Sequence, residues 1–280
     1  MKKYMPLSEI ESKPISRATT GFKELDFIYG YSEMSDGTID WGIPKSRISL
    51  WAGTTGIGKS RLAIDVAKNV AKNIASYALN KVLYFQTEAE LSDFASWTTN
   101  THEYPNIYCS GENEIASMID VMYEVCPKFI IIDSVNEIME FATGNKREAR
   151  MLINGDDKVV GLRKVCQDLG CHIILLGQLN QDGTIKGGTS LPHLVDVALN
   201  LTPDDSGCSR MFKVSVGVKH RCGRRDAHIY GNWSHEEDGV ECVSCQRFFD
   251  NKWMETHPGE LDVAPNRDSI GSKIMNYFRS

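Results

Sequence analysis

From residue 48 to residue 178 the chain alternates between two apolar patterns. Compact apolar runs at Ile48 to Leu50 and within KVLYFQTEAE, NIYCS, PKFIIIDS and HIILLGQ read as strands, and PKFIIIDS is apolar enough for burial on both faces. Between them apolar positions recur three and four residues apart. One set is Leu62, Val66, Val70 and Ile74; a second is Ile115, Met118, Ile119, Met122 and Val125; a third is Val159, Val160, Leu162, Val165 and Leu169. That spacing predicts helices, and another is expected from about Ser92. Strands alternating with helices predict an α/β fold with a mostly parallel central sheet and helices on both of its faces. Further on, VDVALNLT, MFKVSVGVKH and DAHIYGNW read as strands joined by short turns such as DDSGC, which predicts an antiparallel extension.

The flanks are more polar. Residues 1–18, with Pro6 and Pro14, are expected to form an arm that orders only against a neighbour. ATTGFKELDFIYG suggests a turn and a short helix, and YSEMSDGTIDWGIPKS a surface loop leading into the first strand. FATGNKREARMLINGDD is a polar stretch ahead of the third helical set. The expected division is an arm over 1–18, a core over 19–233 and a small appendage over 234–280. In the last of these, Ile270, Ile274, Tyr277 and Phe278 fall on one helical face, which packs on its own domain or, as the rarer alternative, on another protomer or protein.

With 280 residues the chain can bury a full core, and its apolar and charged fractions are those of a globular protein. No apolar run approaches membrane-spanning length and the first residues lack the apolar core of a signal peptide, so a cytoplasmic location without membrane contact is expected. A formal charge of −6 excludes a surface that is basic all over, so nucleic acid would have to be met by local clusters of Lys and Arg. The eight cysteines are scattered singly except for Cys242 and Cys245, a pattern of reduced thiols and not of a disulfide framework.

The candidate chemistry starts at WAGTTGIGKS. Gly53, Gly58, Lys59 and Ser60 fit Gly-x-x-x-x-Gly-Lys-Ser between a strand and a helix, the context a phosphate-binding loop needs. Small residues at Gly53, Gly56 and Gly58 let backbone N–H groups turn inward towards phosphate. Gly53, Thr54, Thr55, Gly56, Ile57, Gly58, Lys59, Ser60 and Arg61 form the candidate nucleotide-binding set, with the Lys59 charge on the β- and γ-phosphates and the Ser60 hydroxyl on Mg2+. Asp133 closes the run Phe129 to Ile132, where it faces that loop and can hold Mg2+ through water; capping the next turn is the alternative. Glu88 ends the preceding strand as the candidate base for the attacking water, with Glu90 as its competitor and a plain solvated pair of carboxylates as the other alternative. Gln178 ends HIILLGQ, where a neutral amide can bond to the γ-phosphate and report its loss to LNQDGTIKGGTS, or simply end the strand.

That loop combines Lys186 with Gly183, Gly187 and Gly188, and a second stretch offers Lys146, Arg147 and Arg150. Both suit contact with a nucleic-acid backbone, and either alone could be an ordinary solvated loop. In VGVKHRCGRRD, Lys219 and Arg221 lie on one side of an extended chain and can reach a phosphate on an adjoining subunit; a DNA-facing patch is the rival reading. In the appendage, Cys242-x-x-Cys245 with His257 and His235 is a candidate Zn2+ set, against two reduced thiols in a hairpin turn.

Taken together these motifs resemble the RecA-like ATPases, and among them the RadA/Sms branch. Thr20, Gly21, Phe22, Glu24, Leu25 and Asp26 match its opening signature, and LYFQTE, IIIDS and GTIKGGTSLPHLVDVALNLT are similar to its later segments. Lys219, His220, Arg221, Cys222 and Gly223 correspond to its Lys-Asn-Arg-Phe-Gly motif, with His220 and Cys222 as departures. GQLNQ, with Gln178, looks more like the sensor segment of DnaB-type helicases. The resemblance implies an ATPase using ATP and Mg2+, built as a head-to-tail ring, a hexamer, or a filament with Lys219 and Arg221 acting across the interface. It implies action on single-stranded DNA in a bacterial or phage-infected cell, by unwinding or branch migration, with strand annealing or exchange as the alternative and other replication or recombination proteins as partners. The missing zinc module and protease-like domain suggest a minimal phage-type member. From another class, a signalling or scaffolding ATPase similar to KaiC is the remaining alternative.

Overall fold

The structure is a computed structural model that describes residues 14–73, 81–97, 101–138, 146–180, 183–186, 190–203, 211–221, 228–233 and 240–242. An entry segment holds β1 (Arg17–Ala18), α1 (Lys23–Tyr29), β2 (Tyr31–Glu33), β3 (Ile39–Trp41) and β4 (Ile43–Pro44). Alternation then sets in with β5 (Ile48–Gly53), α2 (Lys59–Asn73), β6 (Val82–Gln86), α3 (Leu91–Trp97), β7 (Ile107–Ser110), α4 (Ile115–Val125) and β8 (Phe129–Asp133). It continues through α5 (Lys146–Asn154), α6 (Leu162–Leu169), β9 (His172–Gln178) and α7 (Leu191–Leu194). β10 (Val197–Pro203), β11 (Met211–His220), β12 (His228–Trp233) and β13 (Val240–Cys242) complete one nine-stranded sheet in the order β13-β12-β11-β10-β5-β9-β8-β6-β7. The six strands from β10 to β7 are parallel and the rest antiparallel, as the sequence pattern predicts.

Side chains that alternate along each strand divide between two cores. On β5, Trp51 joins one apolar cluster with α1 and α2, while Ile48, Leu50 and Ala52 join another with α4, α5, α6 and α7. On β8, Phe129 and Ile131 serve the first cluster and Ile130 and Ile132 the second. The opening motif around Thr20 is structural. Buried Asp26 accepts from the Thr20 N–H and hydroxyl, both at 2.7 Å, and a Cβ on Gly21 would meet the Asn69 side chain at 2.4 Å. The motif therefore closes α1 against α2.

Three stretches differ from expectation. The surface loop before β5 contains a hairpin, β2 with β3, because Trp41 packs on Tyr31 and Phe27. Arg17 and Ala18, at the end of the expected arm, pair with β4, and the Arg17 guanidinium donates to the carbonyls of Tyr29 and Gly42 at 2.9 Å. The polar stretch after β8 holds α5, which buries Ala149, Leu152 and Ile153, and the third helical set begins at Leu162 because a Gly155–Val160 bridge occupies the residues before it. Among the described residues no helix is long and apolar enough to cross a membrane.

Candidate active site

The parallel register brings several strand ends level. Gly53 pairs with Gln178, and Gln86 with Asp133, so phosphate loop, carboxylates and amide open at one edge of the sheet. There a cleft of about 360 Å³ is lined by Gly58, Lys59, Ser60, Glu88, Asp133 and Gln178, among others. Gly56 and Gly58 have φ of 78° and 96°, values that favour glycine, and a Cβ on Gly53 would meet the Leu201 carbonyl of β10 at 2.7 Å. The loop therefore ends in the N-terminus of a 15-residue helix whose first turn carries no acidic residue.

Lys59 is buried and its ammonium donates to the carbonyls of Gly53 and Thr54 at 3.0 and 3.1 Å. Burial pulls its pKa down, while the carboxylates of Asp133 and Glu88 act in the opposite sense. Burial likewise pushes the Asp133 carboxyl up, against hydroxyl donors on Ser60 and Tyr84 and the nearby Lys59 charge. The Tyr84 hydroxyl donates to Asp133 Oδ2 at 2.7 Å from inside β6. Its own proton is held well above the usual range by burial and by Asp133. The ends of β6 and β8 are also tied through Thr87, whose hydroxyl donates to the Ser134 carbonyl and accepts from the Ser134 N–H.

Glu88 is exposed at the rim of the cleft, and the Gln178 amide donates to its Oε1 at 3.0 Å. Lys186 Nζ reaches Gln178 Oε1 at 3.3 Å, so a carboxylate, an amide and a cation form one bonded line. The segment between the last two turns back on itself through a Leu179–Ile185 bridge, and the Leu179 N–H donates to the Gly53 carbonyl at 3.0 Å. Asn136, in a 3-10 turn after β8, accepts from the Gln178 N–H at 2.8 Å and donates to the Lys186 carbonyl.

Lys146, Arg147 and Arg150 project from α5 into solvent. Ile153 of α5 and Ile185 of the hairpin belong to the same core cluster, so both candidate nucleic-acid segments lie over one face of the sheet. Lys219 and Arg221 sit elsewhere. His220 between them pairs with Val197, which pairs with Ser49, at the opposite end of β5 from the phosphate loop. Lys219 donates to the His193 carbonyl, and Arg221 lies 3.6 Å from Asp196, a buried carboxylate that also holds Arg163 and the Ile48 N–H. Burial and the Arg221 charge lower the Lys219 pKa. About four residues of strand, roughly 13 Å, separate this pair from the Gly53 end of its own chain.

A family model described as an AAA domain matches residues 37–184, more than half of the chain and the whole stretch from the hairpin before the phosphate loop to the hairpin after Gln178. The chain belongs to the AAA domain family. This AAA domain protein is a RecA-like P-loop ATPase by its motifs and architecture. The chain is similar to DNA repair protein RadA of Mycolicibacterium smegmatis, 28% identical over 86% of this chain and 48% of that protein. Against DNA repair protein RadA of Escherichia coli it is 26% identical, again over 86% of this chain and 48% of the relative. It thus spans about half the length of the curated relatives it matches. Among solved structures, an ATPase domain superposes with a TM-score of 0.61 at 15% identity, covering 82% of this chain and 92% of that one, and the likeness is one of fold.

ATP and Mg2+ are what such a family implies, and the residues fit them. Gly56 faces open space and, like Gly58, takes a φ that favours glycine, Lys59 supplies a buried cation, and a Ser60 hydroxyl bonded to Asp133 is the oxygen donor set that suits a hard cation. Tyr84, Thr87 and Asn136 are the residues that sequence reasoning missed. A hydroxyl inside the doubly buried run VLYFQ was the available signal for Tyr84, since a buried phenol needs a partner. The candidate zinc set lies outside the described residues: Cys245, His257 and His235 are not among them, and for Cys242 only the backbone in β13 is described. Gly187, Gly188 and the helical face from Ile270 to Phe278 also lie outside them.

Proposed function

We propose that the protein is an ATP-driven motor that acts on single-stranded DNA as a head-to-tail homo-oligomer, a ring of six or a filament, in unwinding or branch migration. The observation that carries this reading is the bonded line from Glu88 through Gln178 to Lys186, which joins the rim of the nucleotide cleft to a cation on an adjacent hairpin. In this reading Lys59 neutralises the β- and γ-phosphates, while Ser60 and Asp133 hold the metal. Mg2+ held by Ser60 and Asp133 would supply positive charge against the charge that builds on the phosphates. Glu88 polarises the attacking water, and Gln178 bonds to the γ-phosphate and passes its loss to the hairpin.

Lys186 together with Lys146, Arg147 and Arg150 meets the polynucleotide backbone, a role supported by their exposure and by the single face that α5 and the hairpin share. Lys219 and Arg221 act on the nucleotide of the adjoining protomer. The distance of their strand end from the phosphate loop of the same chain supports that role, as does the exposed Arg221 side chain. The named RadA relatives are DNA repair proteins, which favours DNA over a protein substrate.

The test is the ATPase rate with and without single-stranded DNA, paired with unwinding of a forked duplex. Stimulation together with unwinding is expected. Stimulation with annealing alone would select a recombinase, and a rate indifferent to DNA would remove DNA from the reading.

A further inference from the structure

Asn136 lies off the cleft, yet its one amide touches both ends of the hairpin beside it. Its Oδ1 accepts from the Gln178 N–H at 2.8 Å and its Nδ2 donates to the Lys186 carbonyl. The two partners fix the orientation of the amide, because an N–H needs an acceptor and a carbonyl needs a donor. Gln178 and Lys186 are also the residues that close the hairpin, with the Lys186 N–H donating to the Gln178 carbonyl at 2.8 Å. Their side chains carry the line to Glu88.

We propose that Asn136 is a positioning residue that transmits the state of the nucleotide cleft to the Leu179–Ile185 hairpin. The inference rests on the cleft being the nucleotide site and adds how its state reaches the hairpin. The 3-10 turn Val135–Glu137 anchors Asn136 to the end of β8, where the Glu137 N–H donates to the Ser134 carbonyl at 3.2 Å, one residue from Asp133. A planar amide held there cannot follow Gln178 without pulling on Lys186. When Gln178 turns from Glu88 towards a phosphate, its backbone and the Lys186 carbonyl therefore move as one body. Without the Nδ2 donor, Gln178 and Lys186 stay joined through the hairpin's own Lys186 N–H to Gln178 carbonyl bond, a single contact that can pivot, so the Lys186 carbonyl no longer moves in step with Gln178. By reciprocity, whatever grips Lys186 biases Gln178 through the same amide.

The experiment is amide hydrogen exchange of the peptide over residues 179–186 in the full chain without DNA, comparing Mg2+ plus a non-hydrolysable ATP analogue with Mg2+ plus ADP. In the unaltered protein the hairpin should exchange about tenfold more slowly with the triphosphate; in Asn136→Asp, which keeps the acceptor and loses the donor, the difference should fall below about twofold. Affinity for a fluorescent nucleotide should be the same in both. Undiminished protection in Asn136→Asp overturns the proposal, as does a hairpin in the unaltered protein that ignores which nucleotide is bound. Should Asn136→Asp fail to fold, Asn136→Ser is judged by the same comparison. Since the readout needs no DNA, failure of DNA stimulation would strike the motor reading alone, and failure to bind nucleotide at all would strike both.

Discussion

Asp133 and His172 carry the sharpest consequences for single side chains. The Tyr84 hydroxyl orients the Asp133 carboxylate from behind, the role that outer contacts play around a metal ligand. Tyr84→Phe should therefore raise the Mg2+ concentration needed for half-maximal nucleotide binding by about tenfold, read from a Mg2+ titration of a fluorescent nucleotide. His172 lies in a directed chain within the core. Trp51 Nε1–H donates to the Tyr29 oxygen at 2.8 Å, the Tyr29 hydroxyl to Ser49 Oγ at 3.0 Å, the Ser49 hydroxyl to His172 Nε2 at 2.9 Å, and His172 Nδ1–H to the Pro44 carbonyl at 2.8 Å. Burial pulls the His172 pKa from 6.5 to about 3. An unfolded chain takes up this proton near pH 6.5 and the folded one does not, so the stabilisation is whole above pH 6.5 and is lost as the pH falls below it. Between pH 7 and pH 5 that removes about 2 kcal/mol from the unfolding free energy. Urea unfolding at the two pH values should find this part of the decline missing in His172→Gln.

The join between α5 and α6 is as exacting as the phosphate loop. Gly155 has φ of 71°, and a Cβ there would meet the Val159 carbonyl at 2.3 Å and the Gly161 N at 2.5 Å, both backbone. Gly155→Ala should cost at least about 2 kcal/mol in denaturant unfolding, because neither neighbour is a side chain that can swing away. Elements of this kind also mark where sequence reading succeeds. FIIID and HIILLGQ announce themselves because strands buried on both faces must be continuously apolar, and Asp133 and Gln178 are conspicuous as the polar residues that end them. α5 was hidden because its exposed cations outweigh the three residues it buries. Asn136 was illegible for a different reason: its partners are backbone groups of a hairpin 42 and 50 residues away, and nothing in its neighbours' side chains encodes them.

On the scale of the whole molecule, the phosphate loop and the Lys219–Arg221 pair occupy opposite ends of one sheet. Arg221→Ala subunits and Glu88→Gln subunits, each inactive alone, should regain part of the ATPase rate when mixed, since a mixed ring or filament contains interfaces intact on both sides. Complete absence of rescue in a titration of one variant against the other would return Arg221 to its own chain or to DNA. The order of strands has one more outcome, in time. β5 is synthesised early, but the Asp196 that caps its first N–H comes 148 residues later, and the His172 that Ser49 meets comes 123 residues later. At ordinary elongation speeds this strand would emerge from the ribosome and wait roughly 7 to 30 s for its neighbours. A nascent chain stalled before β10 should thus expose Ile48–Gly53 to chaperones, and no N-terminal fragment ending there should hold a nucleotide.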